Sequence, residues 1–92
     1  KRDKKFIAKA EKKIEEILLD NNWIEQGEEV HERHFYADDY GMDSLDRIEF
    51  IMDLEKEYCI SIPDDAFERM YTVARTIDYL HQHLNVYGNE QN

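Results

Sequence analysis

The sequence predicts an all-α fold, a small four-helix bundle with three main helices and one short helix. Proline and glycine, which most often interrupt helices, occur only once and three times in the 92 residues. Apolar side chains recur at spacings of three and four residues, which is the period of a helix with one buried face. A chain of this length forms one domain with a modest core. We assign the domain to residues 1–84 and a polar, flexible tail to residues 85–92.

The first helix is predicted over Lys4–Asp20, and Asn21 and Asn22 suit its end. Its single apolar stripe consists of Ile7, Ala10, Ile14, Ile17 and Leu18. The connection over residues 21–43 has no helical period, and Gly41 suits a tight turn before the next helix. Because long loops rich in large apolar groups usually pack on the core, we expect this connection to do so. Its large apolar side chains are Trp23, Ile24, Val30, Phe35 and Tyr36.

The second helix is predicted over Ser44–Tyr58, with Asp43 or Ser44 as its N-terminal cap. Residues 59–62 then form a short extended linker, and Pro63 suits the start of a short third helix over residues 64–70. The fourth helix is predicted over residues 73–84, with Thr72 as its cap. Its apolar stripe consists of Val73, Ile77, Leu80 and Leu84.

The charge of the chain is strongly acidic and unevenly distributed. The net charge is −10, yet residues 1–13 hold seven of the twelve basic residues. We interpret this basic segment as a solvated first turn rather than an anion site. The acidic remainder repels nucleic acid and anionic lipid and attracts basic protein surfaces.

Cysteine and histidine usage gives little support for disulfide, redox or metal chemistry. Cys59 is the single cysteine, so no internal disulfide forms, and a reducing, cytoplasmic location fits. We expect Cys59 to fill space rather than react. The sequence shows no signal peptide and no apolar run near the roughly 20 residues of a membrane span. We predict no metal site, because the histidine pairs lack further ligands in a metal-site pattern.

The predicted second helix carries two apolar stripes instead of one. At about 100° per residue, one arc is the natural core face and holds Phe50, Ile51, Leu54 and Tyr58. Leu45, Ile48 and Met52 form a second arc, with Asp46, Glu49 and Asp53 beside it. Either the bundle buries both stripes, or the second stripe docks a basic partner protein. Arg47 falls within the core arc, from which its long side chain could reach solvent.

The residues around Ser44 resemble the phosphopantetheine attachment motif of acyl carrier proteins, usually Asp-Leu-Gly-x-Asp-Ser-Leu. Here the run is Asp-Tyr-Gly-Met-Asp-Ser-Leu-Asp over residues 39–46, with Tyr40 in place of the usual leucine. The resemblance continues without a gap through residues 48–55, 62–65, 72–73 and 77–80. It covers about half of the chain. The first 30 residues match only in helical pattern.

The resemblance implies that Ser44 accepts 4′-phosphopantetheine from coenzyme A in a reaction run by a separate transferase. The protein is then a non-catalytic, monomeric carrier whose arm holds acyl groups as thioesters. The implied partners are the phosphopantetheinyl transferase, ketoacyl synthase and other acyl-processing enzymes with basic docking surfaces. The recognition surface is expected to comprise Asp43, Leu45, Asp46, Ile48, Glu49, Met52 and Asp53 on the second helix, extended by Asp64, Asp65 and Glu68 on the third.

In relatives the bundle interior shelters part of the acyl chain. The corresponding candidates here are core residues first, namely Phe50, Ile51, Leu54, Ile62, Phe67, Met70, Ile77 and Leu80. The pathway stays open between fatty acid synthesis and a related polyketide or lipid synthesis. The alternative function is an acidic helical protein that masks a basic partner without modification. A Ser44→Ala change separates the two, because it abolishes carrier function and leaves electrostatic binding intact.

Overall fold

A computed structural model describes the backbone of residues 3–91 and the side chains of residues 3–84. This part of the chain contains five helices, α1 (Lys4–Asp20), α2 (Tyr36–Tyr40), α3 (Ser44–Tyr58), α4 (Asp64–Arg69) and α5 (Val73–Gln91). The long helices α1, α3 and α5 form the bundle, in which α1 contacts both of the others. The prediction of a small all-α fold with three main helices is confirmed. The sequence pattern missed α2, which is a single short turn of helix inside the connection.

Helix α1 has the bounds that its apolar pattern predicted. Asp3 caps its start, accepting a hydrogen bond from the backbone N–H of Phe6 at 3.1 Å. Ile14 and Leu18 are fully buried, so the stripe faces the core. At the other end the Asn21 side chain donates to the carbonyl of Ile17 at 2.9 Å. Asn22 then adopts a left-handed conformation with φ 63°, which turns the chain away from the helix axis.

The connection between α1 and α3 packs on the bundle, as expected. Ile24, Tyr36 and Met42 are buried in it. The Tyr36 hydroxyl donates to Thr76 Oγ1 on α5 at 2.7 Å, and burial raises the pKa of this phenol. This bond ties the connection to α5 without leaving a buried polar group unpaired.

Phe35 is the exception to the predicted burial of this connection. Its side chain is 43% exposed and stacks on the exposed ring of Tyr71. Its backbone is nevertheless held, because Phe35 forms an antiparallel bridge with Thr72. The neighbouring N–H of Val73 donates to the carbonyl of His34 at 3.0 Å. The connection is therefore fastened to the start of α5 through backbone bonds.

The segments after α3 hold α4 and α5 in place. The Glu55 side chain accepts from the N–H of Ile62 at 2.7 Å and fixes the extended linker before Pro63. Thr72 caps α5, as predicted, because its hydroxyl accepts from the N–H of Arg75 at 3.1 Å. Helix α5 continues to Gln91, past the predicted end at residue 84. The division into a domain of residues 1–84 and a tail of residues 85–92 stays a prediction.

None of the helices over residues 3–91 is long and apolar enough to cross a membrane.

Candidate functional site

Ser44 is exposed at the first position of α3. The preceding residue, Asp43, is the cap of the helix and accepts from the N–H of Asp46 at 2.8 Å. Asp46 in turn accepts from the N–H of Asp43 at 3.1 Å, which completes a reciprocal capping box. The sequence left the cap open between Asp43 and Ser44, and the structure assigns it to Asp43. The Ser44 hydroxyl is thus free of the capping role.

The chain before Ser44 is anchored by groups that the motif does not emphasise. Gly41 ends α2 with φ 67°, a left-handed conformation that glycine adopts without steric cost. Met42 is buried, and its N–H donates to the carbonyl of Tyr36 at 3.1 Å. An anchored loop on one side and a capped helix on the other hold Ser44 in a fixed position at the surface. The signal for Met42 in the sequence is a lone apolar residue between Gly41 and Asp43.

This position suits a covalently attached phosphate. The N–H groups in the first turn of a helix lack partners within it, and the helix dipole places partial positive charge there. The Asp43 side chain accepts a hydrogen bond from the backbone N–H of Asp46. The backbone N–H groups of Ser44 and Leu45 belong to the same first turn. The carboxylates of Asp43 and Asp46 hydrogen-bond to backbone N–H groups, and this capping box fixes the geometry of the first turn.

The second apolar stripe of α3 lies at the surface. Leu45 is 70% exposed, Ile48 44% and Met52 53%, whereas Phe50, Ile51 and Leu54 on the other arc are buried. The alternative in which the bundle buries both stripes is therefore wrong. Among the described residues, three of the five exposed large apolar side chains lie on this one helix face. A cluster of that kind marks an interaction surface.

Most of the carboxylates predicted for the recognition surface are accessible. The exposed carboxylates are those of Asp43, the cap of α3, of Glu49 on α3, and of Asp64, Asp65 and Glu68 on α4. Asp46 is half-buried in the capping box. Asp53 is also half-buried, and its Oδ2 accepts from the Asn21 side chain at 3.0 Å. The structure thus gives Asp53 a role inside the molecule, as a link between the end of α1 and the middle of α3. Contact of these residues with a partner stays a prediction.

An open cleft of about 460 Å³ lies between α3 and α4. Its apolar wall is formed by Ile48, Ile51, Met52, Ile62 and Phe67, and its acidic residues are Glu55, Asp64 and Glu68. Of the core residues predicted to shelter an acyl chain, Ile51, Ile62 and Phe67 line this cleft. The others, Phe50, Leu54, Met70, Ile77 and Leu80, are buried in the core. The cleft therefore begins at the exposed stripe of α3 and ends against the closed core.

Arg47 is the residue of α3 whose position the sequence did not explain. Its side chain turns to α4, where Nη2 donates to the carbonyl of Phe67 at 3.0 Å and lies 3.5 Å from that of Met70. The guanidinium carbon also lies 4.6 Å from the centre of the Phe67 ring, within the range of a cation–π contact. Arg47 thus bridges the two helices that enclose the cleft. Helical periodicity places Arg47 near the core arc but cannot identify α4 carbonyls as its partners.

Tyr40, which replaces the leucine usual in the motif, packs on the ring of Tyr36 with 6.2 Å between ring centres. Its hydroxyl lies 2.8 Å from His34 Nδ1. Burial raises the pKa of Tyr40 to about 12. His34 also contacts the ring of His31, but within residues 3–84 no three metal-ligating side chains come together. These aromatic groups stabilise the connection that leads to Ser44.

Comparison with known proteins identifies a family and two relatives to which this chain is similar. The family described as "Phosphopantetheine attachment site" matches residues 12–80, a segment that contains Ser44, the exposed stripe of α3 and all of α4. Acyl carrier proteins from two strains of Porphyromonas gingivalis are each 38% identical to this chain over 78 residues. The aligned segment covers 85% of this chain and 99% of each relative.

Proposed function

This chain belongs to the acyl carrier protein family, and we propose that Ser44 is the residue to which its 4′-phosphopantetheine arm is attached. The observation that carries this proposal is the exposed Ser44 hydroxyl at the start of α3, beside an Asp43 that relieves it of the capping role. The family match supports attachment within this segment, because residues 12–80 include both serines of the chain, Ser44 and Ser61. The one other serine of the chain, Ser61, lies in the linker before α4.

Ser44 acts as the acceptor in the loading reaction, in which its oxygen bonds to the phosphorus of the phosphopantetheine group. The bond from that phosphorus to the nucleotide half of coenzyme A breaks, and the nucleotide leaves. A base on a separate transferase takes the hydroxyl proton, since the carboxylates of Asp43 and Asp46 are held by the capping box. The N-terminus of α3 stabilises the phosphodiester that results. When attached, the arm supplies the thiol that carries acyl groups as thioesters.

The exposed stripe of Leu45, Ile48 and Met52 is the docking surface for the enzymes that load and use the arm. Burial of these side chains against a partner supplies affinity, and their exposures of 70%, 44% and 53% leave apolar area to bury. The flanking carboxylates, among them Asp43 and Glu49, attract basic surfaces and orient the encounter. The partners are a phosphopantetheinyl transferase, a ketoacyl synthase and other acyl-processing enzymes. The carrier meets each of them as a monomer.

The pathway is fatty acid synthesis or a related polyketide or lipid synthesis. The cleft between α3 and α4 offers apolar contact to an acyl chain through Ile51, Ile62 and Phe67. The prediction that Cys59 fills space is wrong, because its side chain is exposed at the end of α3. We propose a cytoplasmic location, because this single cysteine is a free thiol that fits a reducing compartment. The protein itself is the substrate of its partners rather than a catalyst.

The loading reaction tests the proposal. Incubation with coenzyme A and a broad-specificity phosphopantetheinyl transferase should add one arm to the protein, seen as a single mass increase by intact mass spectrometry. Ser44→Ala should gain nothing, and Ser61→Ala, the matched control at the other serine, should be loaded like the parent. A folded parent protein that an active transferase leaves unmodified would overturn the assignment. It would favour the alternative, an acidic protein that masks a basic partner.

A further inference from the structure

We propose that Arg47 is a positioning residue that holds α4 in its closed position and so limits how much of an acyl chain enters the cleft between α3 and α4. This inference rests on the proposed carrier function and adds a residue that sets acyl capacity. Three observations support it, namely the bonds from Arg47 to α4, the place of Phe67 in the cleft wall, and the small number of other anchors on α4.

Arg47 contacts α4 at its C-terminal end. The last carbonyls of a helix have no partner within it, and cations are favoured there. The Arg47 guanidinium donates to the carbonyl of Phe67 at 3.0 Å, which also accepts from the N–H of Met70 at 3.1 Å, and it approaches the carbonyl of Met70 at 3.5 Å. These carbonyls lie at the C-terminal end of α4, whose last helical residue is Arg69 and whose cap is Met70. An outward movement of this end of α4 therefore breaks the contacts of Arg47.

Phe67 connects these contacts to the cleft. Its side chain forms part of the apolar wall, opposite Ile48 and Met52 on α3. The same ring lies under the Arg47 guanidinium, at 4.6 Å from its centre. A chain that widens the cleft must displace this wall, and the displacement costs the cation–π contact as well as the carbonyl bonds. Arg47 thus opposes entry of a long chain through its hold on Phe67.

The rest of α4 provides few anchors. The helix has six residues, and Ala66 is its one fully buried side chain, while Phe67 packs half-buried against the core and Ile62 and Met70 are buried on either side of the helix. A six-residue helix with one fully buried side chain opens at a lower free energy than the long helices of the bundle, so the contacts of Arg47, which we call the latch, contribute to holding it. Arg47 is well suited to this task, because its guanidinium stays charged and offers several donors in one plane.

Hydrogen exchange in the protein without its arm tests the latch directly. In Arg47→Met, which keeps an apolar stem but lacks the guanidinium, the amides of Phe67 and Met70 should exchange about tenfold faster than in the parent, as expected for loss of one bond to a charged group. Arg47→Lys, which keeps the charge without the planar fork, should give an intermediate rate. The matched control is Arg69→Met, which removes an exposed arginine from α4 itself. Equal exchange in the Arg47 and Arg69 variants would overturn the latch.

Acyl chains of two lengths test its consequence. The parent and the variants are loaded from butanoyl- and dodecanoyl-coenzyme A by a broad-specificity transferase, and the melting temperature of each form is measured. If the contacts of Arg47 must break before a long chain enters, the long chain stabilises the parent less. The melting temperature should therefore rise more from the four-carbon to the twelve-carbon form in Arg47→Met than in the parent or in Arg69→Met. A merely structural Arg47 would lower all melting temperatures equally. The same rise in parent and variant would overturn the proposal, and Arg47→Lys provides the comparison if Arg47→Met does not fold. A parent protein that accepts no arm would reject the carrier function instead, while the exchange rates still decide whether Arg47 holds α4.

Discussion

Replacing leucine with alanine at Leu45 and at Leu54 tests the distinction between the exposed docking face and the buried core face of α3. Leu45 and Leu54 are the same residue type on the same helix, but Leu45 is 70% exposed and Leu54 is 0% exposed. Truncation of each to alanine removes the same atoms from two different environments. The pair therefore compares environment alone, with side-chain chemistry held constant.

The expected magnitudes follow from these exposures. Leu54→Ala leaves a cavity in the core and should cost about 2–5 kcal/mol of the free energy of unfolding, which is a large part of the roughly 5–15 kcal/mol available to a domain of this kind. The melting temperature should fall by roughly 10 °C or more. Leu45→Ala should change the free energy of unfolding by no more than about 0.5 kcal/mol. It should weaken binding to a transferase by about 1 kcal/mol or more, roughly fivefold in Kd.

Two assays check the pair. Urea unfolding followed by circular dichroism gives the free energy of unfolding, and calorimetric titration with a phosphopantetheinyl transferase gives the Kd at a temperature where both variants are folded. Leu54→Ala should keep the Kd of the parent once folded. The reasoning fails if Leu45→Ala destabilises the fold as much as Leu54→Ala, or if it leaves the Kd unchanged.

Two further predictions concern charge and pH. Glu49→Lys should weaken docking to a basic partner about tenfold at low salt and less at high salt, because screening shortens the reach of surface charge. Glu29→Lys, which reverses an exposed carboxylate in the connection, is its control, and equal effects of both on Kd would remove Glu49 from the docking surface. For pH, the folded-state pKa of Tyr40 is raised to about 12 from an ordinary 10.0, so the unfolded chain loses this proton first and stability should fall as the pH rises from about 10 to 12. Tyr40→Phe should show a shallower fall in urea unfolding over that range, and an unchanged slope would contradict the burial of this phenol.

The long helices could be predicted closely because their signals are local. An apolar stripe and an end marked by Asn21 define α1, and a capping residue followed by two apolar arcs defines α3. The short α2 was missed because one helical turn leaves no period to read. The end of α5 was placed too early because polar residues beyond Leu84 resemble a frayed tail.

The candidate site was predictable where it depends on residues near Ser44 in the sequence. The choice between a buried and an exposed second stripe on α3 needed the structure, because exposure depends on where the other helices pack. The same holds for Arg47 and Asp53, whose partners lie on α4 and at the end of α1. Periodicity gives the face of a helix on which a residue lies, but not the carbonyl or amide that meets it there.

The most direct test of the central claim is to map the arm on the loaded parent protein. Trypsin cleavage after Arg33 and Arg47 releases residues 34–47, which contain Ser44 as their single serine, whereas Ser61 falls in another peptide. Tandem mass spectrometry should find one phosphopantetheine on the peptide of residues 34–47, with fragment ions that place it on Ser44. An arm located on Ser61 or on any other residue would contradict the account.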